Sequence, residues 1–147
     1  MNIKNKIVCL VLSIFLFSVF SPCYADFQPN SNRWLWIGSD DKMGVWFDSE
    51  SVYERQEYGR TLVYIWTLFY HNTPREYIEK IQFNLDLEER SLGVSEYIKQ
   101  DMNGNVLDVA TAENSTRASI VPGTYGEALY NAAKRYHELR NHLGAIR

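Results

Sequence analysis

The sequence predicts an α+β domain in which about six antiparallel strands are followed by one C-terminal amphipathic helix packed on the sheet. Three observations carry that expectation. Short aromatic and β-branched runs recur from Arg33 to Ala110, separated by glycine, asparagine, aspartate and serine. One segment, Tyr77 to Glu88, alternates apolar and polar residues with period two. Beyond Pro122 the period changes. Tyr125, Leu129, Ala132, Tyr136, Leu139 and Leu143 recur at intervals of four and three, which is one stripe of a helix.

The chain begins with a segment that does not belong to this domain. Lys4 and Lys6 make a positive start, and Ile7 to Phe20 is an apolar run broken only by Ser13 and Ser18. Ser21-Pro22-Cys23-Tyr24-Ala25 then supplies a helix breaker and small residues where a signal peptidase reads them. The run is shorter than the roughly 20 residues of a membrane-spanning helix. Residues 1–25 therefore read as a signal peptide cleaved after Ala25, with a retained N-terminal anchor as the alternative. Cys23 follows Pro22 rather than the small residue that lipidation wants. Residues 26–32 (DFQPNSN) read as a flexible leader, residues 33–143 as a single domain and 144–147 as a tail.

Cleavage would remove Cys9 and Cys23, the only two cysteines, and with them any disulfide, thiol nucleophile or thiolate metal site. It would also remove Lys4 and Lys6 from a chain whose net charge is already −3. No basic run interleaved with aromatics occurs, so charge and compartment both disfavour a nucleic-acid partner.

Arg33 to Ile37, stopped by Gly38-Ser39-Asp40-Asp41, and Gly44 to Asp48 read as a hairpin. Thr61 to Tyr70 is apolar on both faces, which suits a central strand covered on both sides, although a buried helix gives a similar pattern. In Tyr77 to Glu88, Ile81, Phe83, Leu85 and Leu87 share the face expected to be buried. Lys80, Gln82, Asn84, Asp86 and Glu88 share the face expected to be wet. Leu92 to Gln100 is a further strand with Leu92, Val94 and Ile98 inward and Glu96 as an exception. Asn103-Gly104 predicts a type I′ turn into a strand over Val106 to Ala110. Ala112 to Ala118 reads as a polar loop. Thr124 with Glu127 fits a capping box at the helix start, and Gly144 is placed to end the helix.

Little here points to catalysis. His71, His137 and His142 read as solvated surface residues, and the last two, five apart, do not align on one helix face. No nucleophile elbow, HExxH, phosphate-binding loop or dinucleotide fingerprint occurs. Asp101-Met102-Asn103-Gly104-Asn105 resembles the opening of a calcium loop. Val106 and Ala112 stand where an EF-hand needs glycine and glutamate, so the segment reads as a hairpin turn. Asn114-Ser115-Thr116 fits a glycosylation sequon formally. Asp86, Glu88 and Glu89 read as solubility residues. The expectation is no catalytic residue, no cofactor and no metal. The tryptophans are more informative, because large aromatics are enriched in binding hot spots. Trp36 and Trp46 are candidate protein-binding residues, with core filling as the alternative, and Trp34 reads as core.

Several segments together resemble the surface-adhesin protein E family of secreted bacterial proteins. These are Trp34 with Val45-Trp46-Phe47-Asp48-Ser49-Glu50-Ser51-Val52, Ile65-Trp66-Thr67, Met102-Asn103-Gly104-Asn105-Val106-Leu107, and Ile120-Val121-Pro122-Gly123-Thr124. The resemblance spans Trp34 to about Tyr136. It implies a six-stranded antiparallel sheet with a C-terminal helix on it, and a non-enzymatic surface protein. The family's named member binds host extracellular-matrix proteins and plasminogen and can dimerise. It is lipidated, whereas this chain has no lipobox. Members commonly carry two cysteines tying helix to sheet, at positions that align near Leu87 and Ala133.

The function expected is that of an exported protein of the periplasm, cell surface or medium that binds a protein ligand, such as an adhesin for host or matrix proteins, with a homodimer as a further expected partner. Its mature chain would have no membrane span. The alternative is a small periplasmic enzyme or enzyme inhibitor.

Overall fold

The computed structural model describes residues 27–112 and 116–144. The expected signal peptide and its cleavage point, Asn114-Ser115 of the sequon and most of the C-terminal tail lie outside these. The elements are β1 (Trp34–Ser39), β2 (Met43–Asp48), a 3-10 turn (Ser49–Ser51), β3 (Tyr53–Glu57), β4 (Arg60–His71), β5 (Tyr77–Asp86), β6 (Ser91–Asp101), β7 (Val106–Thr111), β8 (Ala118–Ser119) and α1 (Tyr125–Gly144). One open antiparallel sheet has the order β1-β2-β4-β5-β6-β7, with β3 paired to β4 and β8 to β6. The α+β class is therefore that of the sequence, with eight strands instead of six. The unforeseen β3 is Tyr-Glu-Arg-Gln-Glu, almost wholly exposed, so no apolar period marks it.

Turn chemistry is distributed differently from expectation. Tyr58 and Gly59 join β3 to β4 with φ of 50° and 77°. Positive φ at both central residues is the type I′ signature. At the β6–β7 connection Gly104 alone is left-handed, with φ 86°. The hairpin forms there because the Asp101 carboxylate accepts the N–H groups of Asn103 and Asn105 and the Asn105 side-chain amide. Those bonds, led by the Asn105 amide, hold the Asp101 carboxyl below its ordinary pKa.

Helix α1 lies on one face of the sheet. Phe47, Val52, Val63, Ile65 and Leu85 meet Leu129 and Ala133 in the core, with Leu35, Phe83, Leu92 and Tyr136 around them. Fully burying each such aliphatic side chain is worth about 1.5–3 kcal/mol. The helix start matches its sequence signal: Glu127 N–H donates to Thr124 Oγ1, and the Glu127 carboxylate accepts the Gly123 N–H. The buried stripe, however, is rotated from the predicted one. Leu139 is 56% exposed, whereas Tyr130 and Ala133 are almost fully buried. At 100° per residue, Leu139 lies about 120° around the helix from Ala133. The Leu143 side chain lies outside the described residues.

Two further expectations are corrected. Ser95 is an extra residue in β6, because Phe83 pairs with Val94 while its neighbour Gln82 pairs with Glu96. Such a bulge reverses the alternation beyond it. Glu96 and Ile98 therefore share the helix-free face, Tyr97 joins Leu92 and Val94 on the helix side, and the apparent exception at Glu96 disappears. The second correction concerns the face of β5 expected to be wet. Gln82, Asn84 and Asp86 are all buried. Arg117 lies across them, donating to the side chain and carbonyl of Asn84 and to both oxygens of Ser91. Asp86 accepts the N–H groups of Glu88 and Glu89 and pairs with Arg60. It is a turn-organising carboxylate, not a solubility residue.

Candidate functional site

The helix-free face of the sheet holds both tryptophans singled out from the sequence. Trp36 and Trp46 are direct register partners across the β1–β2 hairpin, and that row continues through Leu68, Lys80, Ile98 and Val109. Trp36 is 63% exposed, so it does not fill the core. Trp46 is half-buried, its indole lying over Gly44. Any side chain at residue 44 would collide with that ring, since a Cβ there would come within 2.3 Å of it. Glycine at this position sets the tilt of Trp46.

Two more aromatics complete the surface. The Phe27 ring meets Trp46 edge-on at 6.0 Å and stacks on Tyr70 at 5.1 Å. The segment expected to be a flexible leader thus contributes to this face. Tyr70 is placed beside Gly44 by the β2–β4 register and donates to Glu76. Burial first, then that hydrogen bond, pushes its phenol up to about 12. Trp34, expected in the core, lines the same groove with the Arg33 guanidinium 5.8 Å from its ring.

These residues bound a groove of about 810 Å³. Its rim is the β1–β2 turn, where Asp40 accepts the N–H groups of Lys42 and Met43 and the hydroxyl of Tyr125. The Lys42 N–H is the strongest influence holding the Asp40 carboxyl below its ordinary pKa. Asp41 and Asn72 lie alongside, bridged from the Asn72 amide to the Asp41 carbonyl. Trp36 and Trp46 are legible in the sequence as members of this site, whereas Phe27, Tyr70, Asp40 and Asp41 are not. The β1–β2 hairpin is local and legible. The pairing of β2 with β4 skips β3 and leaves no signature in either strand.

A second groove, about 670 Å³, opens at the other end of the same face around Arg117, Tyr64 and Glu96. It is lined mainly by polar side chains, several of them hydrogen-bonded to one another. Tyr64 donates to Glu57, and burial together with that bond pushes its phenol up to about 12.

The histidines are less solvated than expected. The His71 ring stacks on Tyr77 at 4.3 Å, and its Nε2 lies 2.9 Å from Glu79. Glu79 also accepts the Tyr97 hydroxyl. Burial and that carboxylate push the Tyr97 phenol up to about 12. His137 is 17% exposed at its side chain and sits 3.2 Å from Glu54. The sequence could not show either partner, because each lies on another element. His142 is exposed, as expected. Among the described residues, no cluster of three or more histidines, cysteines or carboxylates could hold a metal ion. None of their buried side-chain polar atoms lacks a hydrogen-bond partner, and no helix is long and apolar enough to cross a membrane.

What the fold and site define is an open-faced antiparallel sheet, backed by one helix, with an aromatic groove on its bare face. Comparisons with family models, curated proteins and solved structures find no match for the chain.

Proposed function

We propose that this is an exported envelope or surface protein that works by binding another protein through the helix-free face of its sheet, around Trp36 and Trp46. The observation that carries the reading is the exposure of Trp36, 63%, beside Trp46 and Phe27 in a groove walled by aromatic rings. A large aromatic left in water contributes nothing to the core, whereas its removal from water by a partner is strongly favourable. The segmental resemblance to the surface-adhesin protein E family, and the signal-like start of the chain, support the same reading and make an adhesin-like role its most concrete form.

Immobilised protein tested against envelope extracts and purified matrix proteins supplies the experiment, with Trp36→Ala beside the natural sequence. The variant is expected to lose at least about tenfold of its affinity for the captured protein. Its melting temperature should stay close to that of the natural sequence, because an exposed substitution costs little stability, within about 0.5 kcal/mol. Capture unchanged by the substitution would place binding elsewhere.

One observation favours the alternative of a small periplasmic enzyme: a histidine and a carboxylate in contact, His71 and Glu79. Neither lines either groove, and the hydroxyl beside them, Tyr97, has its pKa pushed up to about 12 and so ionises little near neutrality. That geometry supports a half-buried structural pair over a reactive one.

A further inference from the structure

The charge around the aromatic groove specifies more than a hydrophobic partner. Rings of Trp36, Trp46, Phe27 and Tyr70 wall it, and Asp40 and Asp41 stand at its rim. No lysine or arginine among the described residues lines it. The protein supplies its own cations to other aromatic faces: Arg33 to Trp34 in the same groove and, away from it, Arg90 to Tyr130 and Lys99 to Tyr77 at 3.9 Å. Among the described residues, Trp36 and Trp46 receive none.

Indole faces are the best cation acceptors among the side chains, and a carboxylate held by backbone N–H groups is a charge that need not reorganise on binding. We propose that this groove receives an arginine or lysine side chain from a basic, extended polypeptide segment, the cation lying on Trp36 and Trp46 and facing Asp40 and Asp41. The inference rests on the binding role proposed above and narrows it to partners with exposed basic stretches. An acidic partner would bring like charge to the rim. A purely apolar one would bring no cation to Asp41, and Asp40 would keep only the neighbouring Lys42.

Binding of a short peptide alternating glycine and arginine, followed by tryptophan fluorescence and calorimetry, tests this. A matched peptide with citrulline in place of arginine keeps the planar shape while removing the charge and turning one NH2 donor into a carbonyl acceptor. The arginine peptide is expected to bind at least about tenfold more tightly than the citrulline peptide, and to weaken as salt is raised. Trp36→Ala should lower its affinity about tenfold. Asp41→Asn, whose carboxylate serves no hydrogen bond among the described residues, should lower it roughly threefold without disturbing the turn.

Equal binding of both peptides, or none of either, overturns the cationic assignment. The binding face survives that result if Trp36→Ala still abolishes capture of a matrix or envelope protein, and falls with it if capture is unaffected. Binding of phosphatidylcholine vesicles without binding of the peptide would replace the polypeptide by a quaternary ammonium headgroup and overturn the proposal.

Discussion

Gly44 shows how one residue without a side chain can govern a surface. It lies two residues before Trp46 on the same face of β2, and the indole occupies the space a Cβ would need, 2.3 Å away. Gly44→Ala is expected to tilt the Trp46 ring away from Phe27 and cost about 1–3 kcal/mol through overpacking. Tryptophan emission and the melting temperature report the two effects together. Asp86 acts at the same scale through charge. Burial by itself would raise its pKa, but the N–H groups of Glu89 and Glu88 and the Arg60 guanidinium outweigh burial and lower it. A carboxyl with a lowered folded pKa stabilises the fold above its unfolded value, about 3.9, and that contribution is lost as pH falls through the folded value. Asp86→Asn should therefore flatten the fall in melting temperature below about pH 4, relative to the natural sequence. Asp86→Ala should cost about 1–3 kcal/mol at neutral pH by stranding those N–H groups.

Among the elements, α1 and β6 show how local periodicity is re-aimed by packing. The helix presents Leu129, Tyr130, Ala133 and Tyr136 to the sheet, and the Tyr130 hydroxyl donates to the Leu87 carbonyl just after β5. Leu87 packs on the same cluster as Ala133. That places the two segments which the family resemblance ties covalently against one another. A Leu87→Cys, Ala133→Cys double variant is expected to oxidise in the periplasm and gain about 2–4 kcal/mol. Thiol titration and melting with and without reductant check it, and a pair that stays reduced would show that the alignment is off by at least a residue. In β6 the extra Ser95 turns its hydroxyl to Asn84, from which it accepts a hydrogen bond, and so anchors the bulge. Ser95 is a visible residue but not a visible bulge, since the Asn84 it meets lies 11 residues back along the chain, across the β5–β6 register.

For the whole molecule, the export prediction has the simplest test. Intact mass of protein recovered from the periplasm or medium should match a chain starting at Asp26, and a mass retaining the leader or carrying acyl chains on Cys23 would remove the soluble-export reading. By itself the sequence determined the fold class, the long strands, the β1–β2 hairpin and the start of α1. Each rests on period, turn residues or capping within a few residues of chain. The two tryptophans were legible as unusual for the same reason: Trp36 and Trp46 sit on facing strands of one short hairpin. Only the tertiary structure decided which faces are dry. Arg117 and Arg60 bury Asn84 and Asp86 from distant points in the chain, and the β2–β4 register brings Tyr70 to Gly44 while Phe27 packs on Tyr70 and Trp46. Burial is a property of what lies opposite a residue, and for a sheet whose partners are far apart in sequence no local pattern carries that information.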